Sequence, residues 1–199
     1  FDTGTEPGSI MSFIEHEELI VDSIFLTHTH RDHIFCLDEI KERTKNPKVY
    51  THSSEPIQES ILIEEGFLMH SGRLSLKSFH THGHSVGGIT YVIDGLELPV
   101  AIVGDALFAG SMGGGMVSYQ DALRTNREKI MTLPDETILC PGHGPMTTVG
   151  EEKSIILFSR NFNIISVLVD GSLQGRFCGT GLPLVLHVLM GHFHLQLPK

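Results

Sequence analysis

Potential metal ligands are concentrated in one short stretch of the chain, which contains His28, His30, Asp32 and His33. This stretch follows the apolar run 21–26 (VDSIFL), which is typical of a buried strand. Alternate side chains of an extended segment share a face, so His28 and His30 can reach one ion. Asp32 and His33 lie beyond the strand end and can serve the same ion or a second one. Imidazole and carboxylate groups suit zinc and iron, so the spacing predicts a metal-binding loop.

Three later strands are also expected to end in a potential metal ligand. Each is followed by Gly or Pro, as sharply turning loops require. The strands are predicted at 74–79, 100–103 and 137–140, and the candidate ligands that follow them are His84, Asp105 and His143. Because all four predicted strand ends present His or Asp, the sequence predicts a metal centre at one edge of a sheet.

The remaining elements must hold these strand ends in place. Apolar periodicity predicts both helices and strands, which indicates an α/β domain. Helices are expected at 7–18, 35–44, 56–65 and 118–132, and further strands at 1–4, 48–51 and 89–93.

The motifs, in this order and spacing, resemble those of metallo-β-lactamase-fold hydrolases. The matching segments are an early DTG at 2–4, HxHxDH at 28–33, GH at 83–84, GD at 104–105 and PGHG at 141–144. The resemblance implies a four-layer αββα sandwich whose N-terminal strands are missing from this chain. It covers residues 1–153, which we interpret as the metal-hydrolase domain.

The resemblance also implies two divalent metal ions held by seven side chains. By position in the motifs these are, for the first ion, His28, His30 and His84; for the second, Asp32, His33 and His143; and, bridging the two, Asp105. Zinc is the expected metal, with iron or manganese as alternatives. Two ions roughly 3.5–4 Å apart can hold a bridging hydroxide and polarise a carbonyl. Asp32 is expected to be catalytic as well as a ligand, by orienting or deprotonating the attacking water.

The stretch 104–114 is similar to the glyoxalase II-like branch, which has a GD-x-LF-x-G-S-x-G pattern. This implies hydrolysis of a small-molecule thioester, or of a related ester, of the hydroxyacylglutathione type. Gly114 and Gly115 depart from the pattern, because Arg often stands there. The alternatives are a lactonase or β-lactamase-like hydrolase, and a persulfide dioxygenase with one iron. An inactive fragment is the alternative of another class.

Several other polar residues receive different expectations. Asp2 and Thr3 are expected to hydrogen-bond the metal-binding loop without touching metal. His80 is interpreted as structural and His82 as a loop residue. The histidines that lie outside any ligand-like turn are expected on the surface: His16, His52 and His70.

Composition excludes some classes of function. The chain has 199 residues, 40% of them hydrophobic, and a formal net charge of −10. The acidic balance disfavours a nucleic-acid partner and weakens a nuclease interpretation. No apolar run is long enough to cross a bilayer, so no membrane partner is expected. The three cysteines form no CxxC pair, which indicates a reducing, cytoplasmic location. The chain does not begin with Met, so we expect its natural N-terminus to lie upstream.

The last segment, 154–199, differs in character from the rest. It has three basic residues and one acidic residue, and its apolar runs show neither helical nor strand periodicity. The residues 154–162 (SIILFSRNF) have possible codons that, read one nucleotide earlier, encode KHNPFFPEF. This second reading is close to the continuation that glyoxalase II-like relatives have. We therefore interpret 154–199 as an atypical tail and predict a frameshifted reading.

Overall fold

The computed structural model describes residues 1–158. Its last helix runs from Val149 to Phe158, across the domain boundary expected after residue 153. The rest of the tail lies outside the described residues, so its origin as a frameshifted reading stays a prediction. Among the described residues, no helix is both long and apolar enough to cross a membrane.

The smaller sheet consists of three parallel strands in the order β1-β2-β3. These strands are β1 (Ser23–Phe25), β2 (Lys48–His52) and β3 (Ile61–Ile63). Because β1 and β2 run in the same direction, the metal-binding loop leaves the sheet at the edge where β2 also ends.

The larger sheet has six strands in the order β11-β10-β7-β6-β5-β4. They are β4 (Leu68–Ser71), β5 (Leu74–His80), β6 (Ile89–Asp94), β7 (Val100–Gly104), β10 (Ile138–Pro141) and β11 (Thr147–Thr148). A hairpin of β8 (Leu107–Phe108) and β9 (Ser111–Met112) stands apart from it. Strand β10 is parallel to β7, while β5, β6 and β7 alternate in direction. The ends of β5, β7 and β10 therefore meet at one edge.

The alternation of side chains along the strands separates the apolar cores. In β7, Val100 and Ile102 pack in the core between the two sheets, whereas Ala101 and Val103 pack in the core on the opposite face. In β1, Phe25 contacts the core between the sheets. Strand β7 is therefore buried on both faces.

Helices cover the outer face of each sheet. The helices are α1 (Gly8–His16), α2 (Arg31–Ile34), α3 (Leu37–Arg43), α4 (Tyr119–Glu128) and α5 (Val149–Phe158). Met11 of α1 and Ile40 of α3 pack with Ile24 of β1, on the outer face of the smaller sheet. Val149 of α5 and Ile130, in the 3₁₀ turn Ile130–Thr132 after α4, pack on the larger sheet. The layers are therefore helix, sheet, sheet and helix, which confirms the αββα sandwich.

The sequence prediction of a helix at 56–65 is wrong. This region contains β3, which pairs in parallel with β2 through Tyr50 and Ile61. A three-residue strand has too little periodicity to be distinguished locally, and its pairing with β2 decides its structure. The strand expected at 1–4 is also absent, although Asp2 N–H donates to the carbonyl of Phe25 at 3.0 Å. The strands predicted at 74–79, 89–93, 100–103 and 137–140 are confirmed as β5, β6, β7 and β10.

Candidate metal centre

Two loops from the smaller and larger sheets meet where β1 ends. The N–H of Ile89, the first residue of β6, donates to the carbonyl of Thr27 at 2.8 Å. The buried Tyr91 hydroxyl donates to the carbonyl of Leu26 at 2.8 Å. These two bonds fix the metal-binding loop against the larger sheet, so side chains from both sheets converge on one place.

The first group of converging side chains is His28, His30 and His84. Nε2 of His28 and Nε2 of His84 each lie 3.0 Å from Nδ1 of His30. Each of the three side chains offers a ring nitrogen within 4.8 Å of the others. Three imidazole nitrogens that point at one another match a three-histidine metal site.

The second group is Asp32, His33 and His143. Nε2 of His143 lies 2.9 Å from Oδ2 of Asp32, and Nε2 of His33 lies 3.8 Å from the same oxygen. The His33 side chain is buried, whereas those of Asp32 and His143 are about half exposed, at 46% and 56%. The open side of the centre is therefore at this second group.

Asp105 lies between the two groups. Its Oδ2 is 3.5 Å from Nε2 of His84 and 3.7 Å from Nε2 of His143, and its Oδ1 is 3.3 Å from Nε2 of His33. The carboxylate is therefore within reach of both groups. All seven side chains that the sequence selected are together, and their function as metal ligands remains a proposal below.

Glycines permit this close approach of loops. A Cβ on Gly142 would lie 2.4 Å from Oδ1 of Asp105 and 2.5 Å from Cε1 of His33. Gly104 has a φ of +52°, and a Cβ there would lie 2.4 Å from Oγ1 of Thr27. Any larger residue would push the loops apart, which explains the glycines of the GD and PGHG motifs.

Asp2 orients the ring of His33 from the side away from the centre. Its Oδ2 accepts a 2.7 Å hydrogen bond from Nδ1 of His33, and the carboxylate also accepts bonds from the N–H and hydroxyl of Thr27 at 2.7 and 2.8 Å. Thr3 donates from N–H and Oγ1 to the carbonyl of His33. The expected hydrogen bonds from Asp2 and Thr3 are therefore confirmed. The Nδ1–H assignment leaves Nε2 of His33 facing the centre.

Two other histidines of the centre are oriented in the same way. Nδ1 of His84 donates to the carbonyl of Gly114 at 2.8 Å, and Nδ1 of His28 lies 3.1 Å from Oγ1 of Thr27. Because the Thr27 hydroxyl donates to Asp2, its oxygen can accept from His28. Nε2 is then the free nitrogen of both rings. The Gly114 carbonyl was not predicted, since every residue has a carbonyl and no side-chain type marks this one.

The electrostatics of the centre depend on two carboxylates, Asp2 and Asp105, and on the histidines near them. Burial favours neutral His33, but the carboxylates of Asp105 and Asp2 outweigh it and raise the pKa of His33 to about 10. Burial also raises the pKa of Asp105, but His33 outweighs it, so that pKa is lowered overall. Burial, together with the charge of His33, lowers the pKa of His28 to about 3. His28 is therefore a neutral imidazole with a free lone pair at ordinary pH.

The donor set fits divalent metal ions. Two buried atoms, Nε2 of His33 and Oδ1 of Asp105, have no partner with hydrogen-bond geometry within residues 1–158, although they face each other at 3.3 Å. Buried polar atoms without partners are costly, and a cation between the groups would satisfy both. Imidazole nitrogens and carboxylate oxygens are ligands for zinc, iron and manganese.

The other histidines within residues 1–158 are not part of the centre. The expectation of a surface position for His52 is wrong, because this side chain is buried and its ring stacks on that of His80 with 3.8 Å between centroids. His52 ends β2, whose pairing with both neighbours buries it. His80 donates from Nε2 to the carbonyl of Val86 at 2.9 Å, which fits the structural role expected for it. His82 lies in the following loop, with its Nε2 3.4 Å from the guanidinium of Arg124.

Comparisons with known proteins agree with this geometry. The family model "Metallo-beta-lactamase superfamily" matches residues 1–143. The "Probable metallo-hydrolase YqgX" of Bacillus subtilis (strain 168) is 33% identical, over 82% of this chain and 88% of that protein. A "Hydroxyacylglutathione hydrolase" of Hamiltonella defensa is 27% identical, over 69% of this chain and 54% of that protein.

A solved structure shows the same architecture. The crystal structure of the BLEG-1 B3 metallo-beta-lactamase superimposes with a TM-score of 0.67 at 27% identity, over 77% of this chain and 84% of that one. Within this fold, the present chain has both ligand groups and the sequence motifs that form them. The chain belongs to the metallo-β-lactamase superfamily and is a metallo-hydrolase of that family.

Proposed function

We propose that this metallo-hydrolase cleaves thioesters, as a hydroxyacylglutathione hydrolase-like enzyme, and that it holds two divalent metal ions. The observation that carries the proposal is the position of Asp105 within reach of two separate ligand groups. We assign one ion to His28, His30 and His84, the other to Asp32, His33 and His143, and the bridging position to Asp105. Zinc is the metal that we propose, with iron or manganese as alternatives.

The bound ions would supply a Lewis acid and lower the pKa of water, so that hydroxide is available near neutral pH. The residues of the chain would bind and orient these groups. We assign to Asp32, which is half exposed and hydrogen-bonded to His143, the role of holding a proton of the attacking water. No Ser or Cys nucleophile is needed.

The thioester assignment rests on the segment that contains Asp105 and on a relative of this chain. The segment 104–114 has the glyoxalase II-like pattern, and the hairpin β8–β9 within it adjoins Asp105. The hydroxyacylglutathione hydrolase relative supports the same class of substrate. The acidic net charge of −10 supports a small-molecule substrate rather than nucleic acid. The buried free thiols of Cys36 and Cys140 support a reducing, cytoplasmic location.

A second candidate function is hydrolysis of a lactone or a β-lactam. The structural likeness to a B3 metallo-β-lactamase favours it. The two candidates share the metal centre and differ in the leaving group, which is a thiolate in one and a ring alkoxide or amine in the other.

A substrate panel with measured metal content tests the proposal. The panel contains glutathione thioesters, simple thioesters, lactones and β-lactams, and the protein is the full chain loaded with zinc. We expect two metals per chain and the highest kcat/KM for a thioester. Preference for a lactone or β-lactam would favour the second candidate, one iron with persulfide oxidation would indicate a dioxygenase, and absence of bound metal would indicate an inactive fragment.

A further inference from the structure

Large apolar side chains are exposed beside the candidate metal centre. Met116 is 74% exposed, Val117 is 56% exposed and Tyr119 is 43% exposed. They follow Gly113–Gly115 in the chain, and the segment 113–119 contains no charged residue. Exposed apolar side chains scattered singly are ordinary, but a continuous group beside a site indicates a binding surface.

The backbone of this segment is tied to a candidate metal ligand. The Gly114 carbonyl accepts the 2.8 Å hydrogen bond from Nδ1 of His84, and the N–H groups of Val117 and Ser118 both donate to the carbonyl of Gly83 at 3.0 Å. A Cβ on Gly114 would lie 3.8 Å from Cγ of Met116. The Met116 side chain therefore lies against the residue that orients His84.

Apolar groups also stand at the other side of the centre. The Phe108 ring lies 6.1 Å from the ring of His143, between centroids. Phe35, two residues after His33, is 55% exposed. Both ligand groups are thus bordered by apolar side chains.

Two cations in the described part of the chain, Arg31 and Arg124, lie near this region and contact other side chains. The Arg31 guanidinium lies over the Phe35 ring, 5.1 Å from its centroid, and Arg124 donates to Asp121 at 2.6 Å. A substrate carboxylate would have to compete with Asp121 for Arg124, whereas a hydrocarbon chain would meet an apolar surface.

We propose that Met116 and Val117 form an apolar wall that binds the hydrocarbon part of an uncharged substrate, with Phe108 beside the other ligand group. The proposal rests on the hydrolase function above and narrows its substrates to neutral thioesters with an aliphatic chain, so that the likeness to hydroxyacylglutathione hydrolases lies in the thioester chemistry and not in the thiol carrier. The Gly114–His84 hydrogen bond connects the backbone of this wall to the candidate metal centre.

Calorimetric binding of hydroxamates tests the wall without requiring turnover. Acetohydroxamate, butyrohydroxamate and hexanohydroxamate present the same metal-binding group with increasing aliphatic length. With the zinc-loaded full chain, we expect affinity to rise by about fourfold for each methylene that is buried. The double variant Met116→Ser with Val117→Ser should lose this dependence, while Ile20→Ser, a change at a side chain 89% exposed and remote in the chain, should keep it.

Zinc content and circular dichroism establish that each variant is folded and loaded with metal. The milder Val117→Thr change, which keeps the side-chain shape, should partly reduce the dependence of affinity on chain length. Equal affinity for all three hydroxamates, or the same chain-length dependence in the double variant, would overturn the wall. Thioester turnover is measured in parallel on S-hexanoyl-N-acetylcysteamine and S-lactoylglutathione. A chain-length dependence without thioester turnover would refute the thioester function and support the wall, and turnover without the dependence would do the reverse.

Discussion

At the scale of single residues, the centre depends on a few atoms whose partners are fixed. Asp2, Thr27 and the Gly114 carbonyl determine which nitrogen of His28, His33 and His84 faces inward. Such outer hydrogen bonds set ring orientation and ligand basicity. These hydrogen bonds therefore orient the three rings.

Asp105 is the residue whose loss should separate the two ions. We expect Asp105→Asn to retain one divalent metal per chain and to lower turnover by more than the ten- to hundredfold typical of outer-partner changes. The amide keeps the shape but lacks the negative charge that both ions would share. Metal content by mass spectrometry and turnover measure the effect, with Asp22→Asn, at an exposed carboxylate just before β1, as the control. Two metals and full activity in Asp105→Asn would contradict the bridged site.

The Asp2–His33 pair predicts a pH dependence of the metal-free protein. The pKa of His33 is raised from 6.5 to about 10, so its stabilisation is complete below pH about 6.5 and is lost as pH rises toward about 10. Burial raises the pKa of Asp2, but its bonds to His33 and Thr27 lower it overall, so its stabilisation is lost only in acid. Breaking a buried pair costs about 3–5 kcal/mol.

We therefore expect Asp2→Asn to lower the free energy of unfolding by about that amount at pH 6, and by less at pH 10. Urea denaturation of the metal-free protein at both pH values measures the difference. Asp22→Asn should be neutral at both. An Asp2→Asn effect that is as large at pH 10 as at pH 6 would show that the pair does not carry the stabilisation.

At the scale of elements, the strand ends position the candidate ligands, and hydrogen bonds between elements hold the loops in place. The buried carboxylate of Glu152 in α5 accepts bonds from Gly110 N–H at 3.0 Å and from the Thr147 hydroxyl at 2.7 Å. Gly110 lies in the turn between β8 and β9. This contact anchors the hairpin that follows Asp105.

Glu152→Ala should leave the Gly110 N–H unpaired and destabilise the protein by about 1–3 kcal/mol. The midpoint of urea unfolding checks this, with Glu136→Ala, at an exposed position, as the matched control. We also expect weaker turnover, since the hairpin adjoins the centre. An unfolding midpoint equal to that of the control would mean that the anchor is dispensable.

The elements also differ in how far the sequence alone could predict them. The loops at His84, Asp105 and His143 were predictable because a ligand near Gly or Pro at a strand end is a local pattern, and the loop at His28 was predictable from the cluster of potential ligands that follows an apolar run. The strand β3 was not, because its three residues take their structure from pairing with β2. The burial of His52 has the same origin, since it depends on neighbours that are distant in sequence.

At the scale of the whole molecule, two sheets and two helix layers bring four loops to one edge. Parallel β7 and β10 and the codirectional β5 bring Asp105, His143 and His84 together, while β1 supplies the remaining ligands. The core between the sheets, which includes Phe25, holds the two halves of the centre in register. A frameshifted origin of the tail remains a prediction that sequencing of the gene would check.

The metal stoichiometry of the full chain tests the central claim most directly. Protein purified without chelator, then dialysed against zinc and freed of excess metal, should contain two equivalents of zinc per chain. Removal with a chelator should abolish thioester hydrolysis, and addition of zinc should restore it. A folded protein that binds no metal, or one whose hydrolysis is unchanged by complete metal removal, would contradict the account.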